Sequence, residues 1–236
     1  MTSEVVALAA SYMTPEGFGS SALGRRPWMD GHGKPCERKE LMGIPWLSLF
    51  SAPCPRFGRM SPLTRLGLMA VELLDVGFAD MTEEQRTDTG ICMLSPFGSM
   101  ATDIEFLREI GPATFTYTLP SSVIGEVCIR HRLRGPGLCL MSEEDTGRSI
   151  VAEACERIAM GEAESMLCLV CDAPGAEIRD LLKYALDQNG KFWWYAYALY
   201  LVRTDTVRGP GKTVAEMVSA SGVDLCGMCL DLCGNR

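Results

Sequence analysis

Residues 166–171 (MLCLVC) form an unbroken apolar run. A strand with one face in water alternates apolar and polar residues, whereas a continuous run is what a strand covered on both faces requires. Segments 89–94 (TGICML) and 138–141 (LCLM) have the same character, and 5–10 (VVALAA) and 193–202 (WWYAYALYLV) supply a first and a last strand. Helical spacing fills the intervals. Ser61-Pro62 gives an N-cap and a first-turn proline to a helix striped by Leu66, Met69, Ala70, Leu73 and Leu74, which Val76-Gly77 closes. Further helices are predicted at 103–110, at 122–132, from Ser142 onward with Ile150, Val151, Ala154, Ile158 and Ala159 inward, at 176–186 and at 213–220. Strands and helices alternate, so the predicted class is α/β, with α/β/α layers around a mixed, mostly parallel five-stranded sheet. The Gly-, Pro- and charge-rich stretch 14–39 reads as loop, part of a long loop over about 14–58, and 222–236 reads as a cysteine-rich tail. The whole of 1–236 is expected to be a single domain.

A compact chain of 236 residues buries about 70–75% of its unfolded surface and needs no disulfide staples. Its eleven cysteines, an odd number at irregular spacing, therefore read as reduced thiols, many of them small core hydrophobes of a cytoplasmic protein. Glu4 stands where a signal peptide would carry positive charge, and no apolar stretch reaches the roughly 18–20 residues of a membrane span. The net charge of −8 works against nucleic acid and anionic membrane, leaving a protein or a small molecule as partner.

Five local patterns carry chemistry or imitate it. Ser142-Glu143-Glu144-Asp145 fits a capping box, in which three acids complement the positive end of a helix dipole at about 0.3–1 kcal/mol each. Cys226, Cys229 and Cys233 make C-x2-C-x3-C, a weak zinc or iron–sulfur candidate that would need a fourth ligand such as Cys36 or His32. Cys168 and Cys171 also read C-x2-C, but on a strand they point to opposite faces and belong to the core. Gly209-Pro210-Gly211-Lys212-Thr213 imitates the end of a phosphate-binding loop, yet Thr206 stands where its first glycine should, so a turn is expected. Arg130, His131, Arg132 and Arg134 form a basic patch on an acidic chain, either a solvated helix end or a contact for an acidic carrier or partner subunit.

The order and wording of these segments resemble the N-terminal half of a β-ketoacyl synthase, a member of the thiolase-like fold. VALAASYMTPEG (6–17) is similar to the family's opening strand and turn, MSPLTRLGLMAVELLDVGF (60–78) to the helix that ends in Ala-Gly, and TGICMLSPFGSM (89–100) to its "GVVVGSGxGG" strand and loop. LPSSVIGEVCIRHRLRGPG (119–137) resembles "IPxxMxNxxAGxIAxxxGLxGP", a segment of the family's dimer interface. Against "GPxxxxxTACATG", the stretch GPGLCLMSEEDTG (135–147) puts Glu144 where the catalytic cysteine would stand. A carboxylate cannot carry the acyl group as a thioester. The family's two catalytic histidines, in "HGTGTxxGD" and "KxxxGH", also have no counterpart, since His32 and His131 lie in neither context.

The resemblance therefore implies a half-length, non-catalytic subunit of the chain-length-factor type found in aryl-polyene and related type II pathways. Its expected partner is an active β-ketoacyl synthase subunit or a second copy of itself, with an acyl carrier protein as a further partner; no cofactor is implied. The interface would be built by 119–131 and 138–141, with Ser121, Ser122, Ile124, Glu126, Leu138 and Leu140 in contact, and the helix layer that a second half would bury would stay uncovered and apolar. Two alternatives remain open: an acyltransferase, thioesterase or metal-dependent enzyme using another thiol, with Cys92 or Cys139 foremost, and a homodimeric scaffold that only binds carrier protein.

Overall fold

The computed structural model describes residues 5–38, 40–41, 44–142, 145, 147–175, 178, 194–206, 212–221 and 224–234. Its centre is a nine-stranded sheet in the order β4-β3-β2-β1-β8-β7-β5-β6, with β9 paired to β1. The strands are β1 (Val5–Thr14), β2 (Gly17–Ser20), β3 (Gly24–Met29), β4 (Pro35–Cys36), β5 (Thr89–Leu94), β6 (Gly137–Leu140), β7 (Ser165–Asp172), β8 (Tyr195–Arg203) and β9 (Lys212–Thr213). Only β5–β6 and β5–β7 are parallel; the other pairs are antiparallel, so the sheet is mixed rather than mostly parallel.

The stretch 14–39, expected as loop, supplies β2, β3 and β4 instead. These strands lack an apolar run because glycine lets backbones close up where side chains would not fit. A Cβ on Gly17 would stand 2.4 Å from the Arg26 carbonyl oxygen, and one on Gly19 would stand 2.4 Å from that of Gly24. One buried aromatic anchors the arm: Trp28 stacks on Phe18 at 4.5 Å and donates its indole N–H to the Thr14 carbonyl at 2.8 Å.

Strand alternation sorts the side chains into two cores. Ile91, Met93, Leu167, Leu169 and Cys171 face one side, and Cys92, Leu94, Met166, Cys168 and Val170 face the other, so the two thiols of Cys168-x2-Cys171 are on opposite faces. On β1 the alternation jumps at a bulge between Ala7 and Ala9, which turns Leu8 outward. The first core is covered by α1 (Pro62–Glu72) and, beyond the short α2 (Glu83–Thr87), α3 (Met100–Arg108) and α4 (Pro112–Phe115), by α5 (Ser122–His131). The second is covered by α6 (Arg148–Met160), α7 (Val214–Ser221) and α8 (Leu225–Gly234).

Ser61 caps α1 as expected, its side chain accepting from the Thr64 amide, with Pro62 in the first turn. Helix α6 begins at Arg148, six residues after the predicted start. Asp145 explains the shift: its carboxylate accepts from the Gly147 and Arg148 amides at 2.8 Å and from Ser149 at 3.2 Å, taking up donors that a helix begun at Ser142 would have satisfied internally. The outer face of α6 is charged rather than apolar, with Arg157 paired to Glu153 at 2.7 Å and to Glu162 at 3.0 Å. Predicted helix 176–186 and the Gly209-Pro210-Gly211 turn lie outside the described residues, Ile178 excepted.

Glu126, expected at a partner contact, is 4% exposed and belongs to the interior. Its Oε1 accepts from Arg56 Nη2 at 2.7 Å and from the Tyr117 hydroxyl at 2.9 Å, pinning the 44–60 segment and the α4 turn to α5. Glu126→Ala, which leaves the Tyr117 hydroxyl without its acceptor, should cost about 1–3 kcal/mol in urea denaturation, and Glu126→Gln, which keeps an acceptor oxygen, clearly less.

Candidate functional site

Parallel pairing brings the carboxyl ends of β6, β5 and β7 together, the edge where sheets of this class place ligands. Three connections meet there: 95–99 after β5, 141–147 after β6, and 173–175 after β7. Gly98, at φ +56°, lets the first bend against the others; a Cβ on it would stand 2.7 Å from Pro120 and 3.0 Å from the Met141 methyl. Gly147, at φ +93°, closes the second, where a Cβ would stand 2.7 Å from both Leu225 and Val170. The entry to α6 is thus packed directly on Leu225 and Val170. Glu144, aligned with the family nucleophile, lies outside the described residues, as does Glu143.

Asp172, the last residue of β7, is the group at this edge that the sequence reading missed. It is 1% exposed, and its Oδ2 accepts from the Phe97 amide at 2.8 Å and from the Ser95 hydroxyl at 3.4 Å. Its Oδ1 is buried with no hydrogen bond of good geometry among the described residues. Burial pushes the carboxyl up to about 6, and the Phe97 and Ala173 amides and Ser95 pull only partly the other way. The signal was present in the sequence, as an acid terminating a six-residue apolar run.

The predicted contact residues divide. Leu138 and Leu140 lie half-buried on β6, the last strand in the sheet order. Ser121 is exposed at the start of α5, Ser122 bonds Thr64 Oγ1 at 3.2 Å, and Ile124 packs on the first core.

The basic patch is largely consumed inside the molecule. Arg130 donates to Glu72 at 2.8 Å and to the Ala52 and Pro53 carbonyls at 2.8 and 2.7 Å. His131 stacks on Phe78 at 4.4 Å with its Nε2 buried, 3.5 Å from Glu72 Oε1. Burial and the Arg130 and Arg86 guanidiniums lower it to about 4, so it is neutral at pH 7; Glu72 is already engaged by Arg130 and does not reverse the direction. Only Arg132, at φ 58° in the left-handed C-cap of α5, and Arg134, paired to Glu83 at 2.6 Å, are exposed.

The thiols singled out as candidate nucleophiles, Cys92 and Cys139, are not activated by their surroundings. Burial pushes Cys92 and Cys155 up to about 11 and raises Cys139, away from the thiolate that acyl transfer needs. The C-x2-C-x3-C residues share α8. Cys229 and Cys233 are buried and donate to the Ala198 and Ala10 carbonyls, and no cluster of three metal-ligating side chains forms among the described residues.

Asp172 and His131 give opposite pH signatures. Between the unfolded value of 3.8 and about 6, folded Asp172 holds its proton more tightly than the unfolded chain does, so its contribution falls as pH rises through that window. His131 is lowered, so its contribution is complete above about 6.5 and is lost as pH falls towards 4. Asp172→Asn should therefore be about 1–3 kcal/mol more stable than the parent at pH 7.5, an advantage that disappears by pH 4 in urea denaturation. In that variant the acid loss caused by His131 should stand unmasked.

Residues 47–179, more than half of the chain, match the family model for the β-ketoacyl synthase N-terminal domain. A 3-oxoacyl-[acyl-carrier-protein] synthase 2 from Rhizobium meliloti (strain 1021) is 29% identical over 110 residues, taking in 43% of this chain and 26% of that relative. The chain thus aligns with about a quarter of that curated protein's length. Among solved structures, the ishigamide ketosynthase/chain length factor superposes with a TM-score of 0.67 at 17% identity, over 88% of this chain and 64% of that one. The complex of a ketosynthase (ApeO) with its chain length factor (ApeC) from Xenorhabdus doucetiae gives 0.57 at 17% identity, over 85% and 79%. These likenesses fix the thiolase-like ketosynthase fold, and with the domain match the chain belongs to the β-ketoacyl synthase family.

Proposed function

We propose that this chain is a non-catalytic, chain-length-factor-like subunit that pairs with an active ketosynthase in fatty acid, aryl-polyene or polyketide-type biosynthesis. The observation that carries the reading is the sheet edge at β6. Its outer side has no strand partner among the described residues; Met141 (57%), which directly follows the strand, and Leu119 (65%), which precedes the Pro120 packed with Met141 around Gly98, are exposed, as are Leu107 (79%), Ile110 (81%) and Phe115 (63%) in the α3–α4 region. An open edge of this kind invites pairing with another chain, and exposed apolar side chains in number favour an interface. The ketosynthase/chain-length-factor neighbours support such pairing, and the raised thiols together with an acid at the nucleophile-equivalent position weigh against acyl transfer by this chain.

An acyl carrier protein is a weaker partner in this reading. Carrier proteins are acidic, this chain carries −8, and Arg130 and His131 are committed internally. A homodimer across the same edge is the form expected without a synthase.

Co-expression with a full-length β-ketoacyl synthase from the same genome should yield a stable complex. Ile110→Asp with Leu119→Asp should weaken that complex at least tenfold while leaving the thermal midpoint of the isolated chain within about 2 °C, because both side chains are already in water. Failure to co-purify, with product length unaltered by the chain, would sink the proposal. Glu144→Cys in the 236-residue chain should not restore condensation, since neither of its histidines, His32 and the buried His131, lies in a context suited to stabilise a developing enolate; appreciable turnover by that variant alone would overturn the non-catalytic assignment.

A further inference from the structure

From the contacts at the carboxyl edge of the sheet we infer that Asp172 is a positioning residue, latching the 95–99 connection to β7 so that Gly98 in turn fixes Pro120 and Met141 beside the open edge. The inference deepens the interface reading and rests on it for its biological meaning, while the latch itself is a property of the chain alone.

Every link is a close contact. Asp172 Oδ2 holds the Phe97 amide at 2.8 Å, and Ser95 Oγ, reaching towards the same oxygen, accepts from the Gly98 amide at 2.9 Å. Gly98 is wedged against Pro120 and Met141 with no room for a Cβ. On the far side of the connection, the Ser99 hydroxyl lies within reach of two acceptors, the Thr118 carbonyl and the Asp103 carboxylate at 3.2 Å, and its one proton serves either of them, tying in the start of α3. One buried carboxylate therefore holds a strap running from the centre of the sheet to the exposed apolar residues of 107–119 and to Met141.

The cost of keeping that carboxylate argues for a role. A buried acid with one oxygen lacking a good hydrogen bond destabilises the fold, and an apolar residue of similar size would not. Tyr195, opposite Asp172 in the β7–β8 register, and Cys171 beside it are neighbouring titratable groups; burial raises both, which keeps them neutral, and neither a phenol nor a thiol can supply a compensating positive charge. Groups held at such a cost cluster at functional sites.

Amide hydrogen exchange on the full chain at pH 7.5 tests the latch without any partner. Asp172→Leu should accelerate exchange at Phe97 and Gly98 at least tenfold and also speed 119–123 and 138–141, leaving β8 and the centre of α6 unchanged. Asp172→Asn, which keeps an acceptor oxygen, should restore protection at all of them. Gly98→Ala supplies the reverse test and does not depend on the leucine variant folding: displacing the connection from Pro120 and Met141 should release the Phe97 amide at least tenfold. Unchanged exchange at 119–123 and 138–141 in Asp172→Leu, or a Phe97 amide still protected in Gly98→Ala, would overturn the inference. Affinity for the co-expressed synthase is the second readout, with Asp172→Leu at least tenfold weaker and Asp172→Asn within twofold of the parent. A parent chain that binds no synthase defeats the proposed function and leaves the exchange result to decide the latch.

Discussion

Complete burial of β5 and β7 is the constraint on which the rest of the molecule depends. Every residue of both strands is buried, so helices must cover both faces, and any polar group carried inward must find its partner within the protein. At the amino ends this requirement is met in full. The Tyr200 hydroxyl reaches Ser165 at 2.9 Å, Ser165 and Thr89 bond at 2.8 Å, and Thr89 donates to the Gln85 carbonyl at 2.6 Å, a relay that can run in one direction with every proton placed. At the carboxyl ends it is met only in part, because Asp172 Oδ1 has no hydrogen bond of good geometry among the described residues. The two ends of the same strands thus differ in kind: one is a closed network that only stabilises, and the other holds an unfavourable group beside connections that the fold brings together.

What could be read in the sequence follows from the same constraint. Unbroken apolar runs identified β5, β6 and β7, and the stripe behind Ser61-Pro62 identified α1, because burial on both faces or along one helical face leaves a periodic trace. Strands β2 and β3 left none. GFGS and GRRPWM are held by backbone closeness and one tryptophan, features that periodicity does not record. The start of α6 was misplaced because Ser142 and Asp145 both suit a helix entry, and only the position of Gly147 against Leu225 decides between them.

At the site, position was legible and side-chain fate was not. The family resemblance located the β6–α6 connection and the 119–141 region, yet charge alone could not tell an interface residue from an internal tie. Glu126, Arg130 and His131 all looked like surface chemistry. Each instead holds or packs against a segment far away in sequence: Glu126 reaches Arg56, Arg130 reaches Ala52 and Pro53, and His131 lies on Phe78.

That internal use of cations changes how the charge of −8 should be read. Arg65 donates to the Phe57 and Gly58 carbonyls, Arg86 to His131 and Ala79, and Arg25 to the Leu230 carbonyl in the last turns of α8, so guanidinium groups stitch the 44–60 segment and the helix ends to the body. A guanidinium bonded to a carbonyl keeps its full charge, but its donors are occupied and its side chain is not free to turn to meet a partner. For the proposed pairing, complex formation at the β6 edge would then draw on the exposed apolar side chains rather than on charge attraction. Association of that kind would be slow to encounter and little affected by salt, as the proposed subunit role requires.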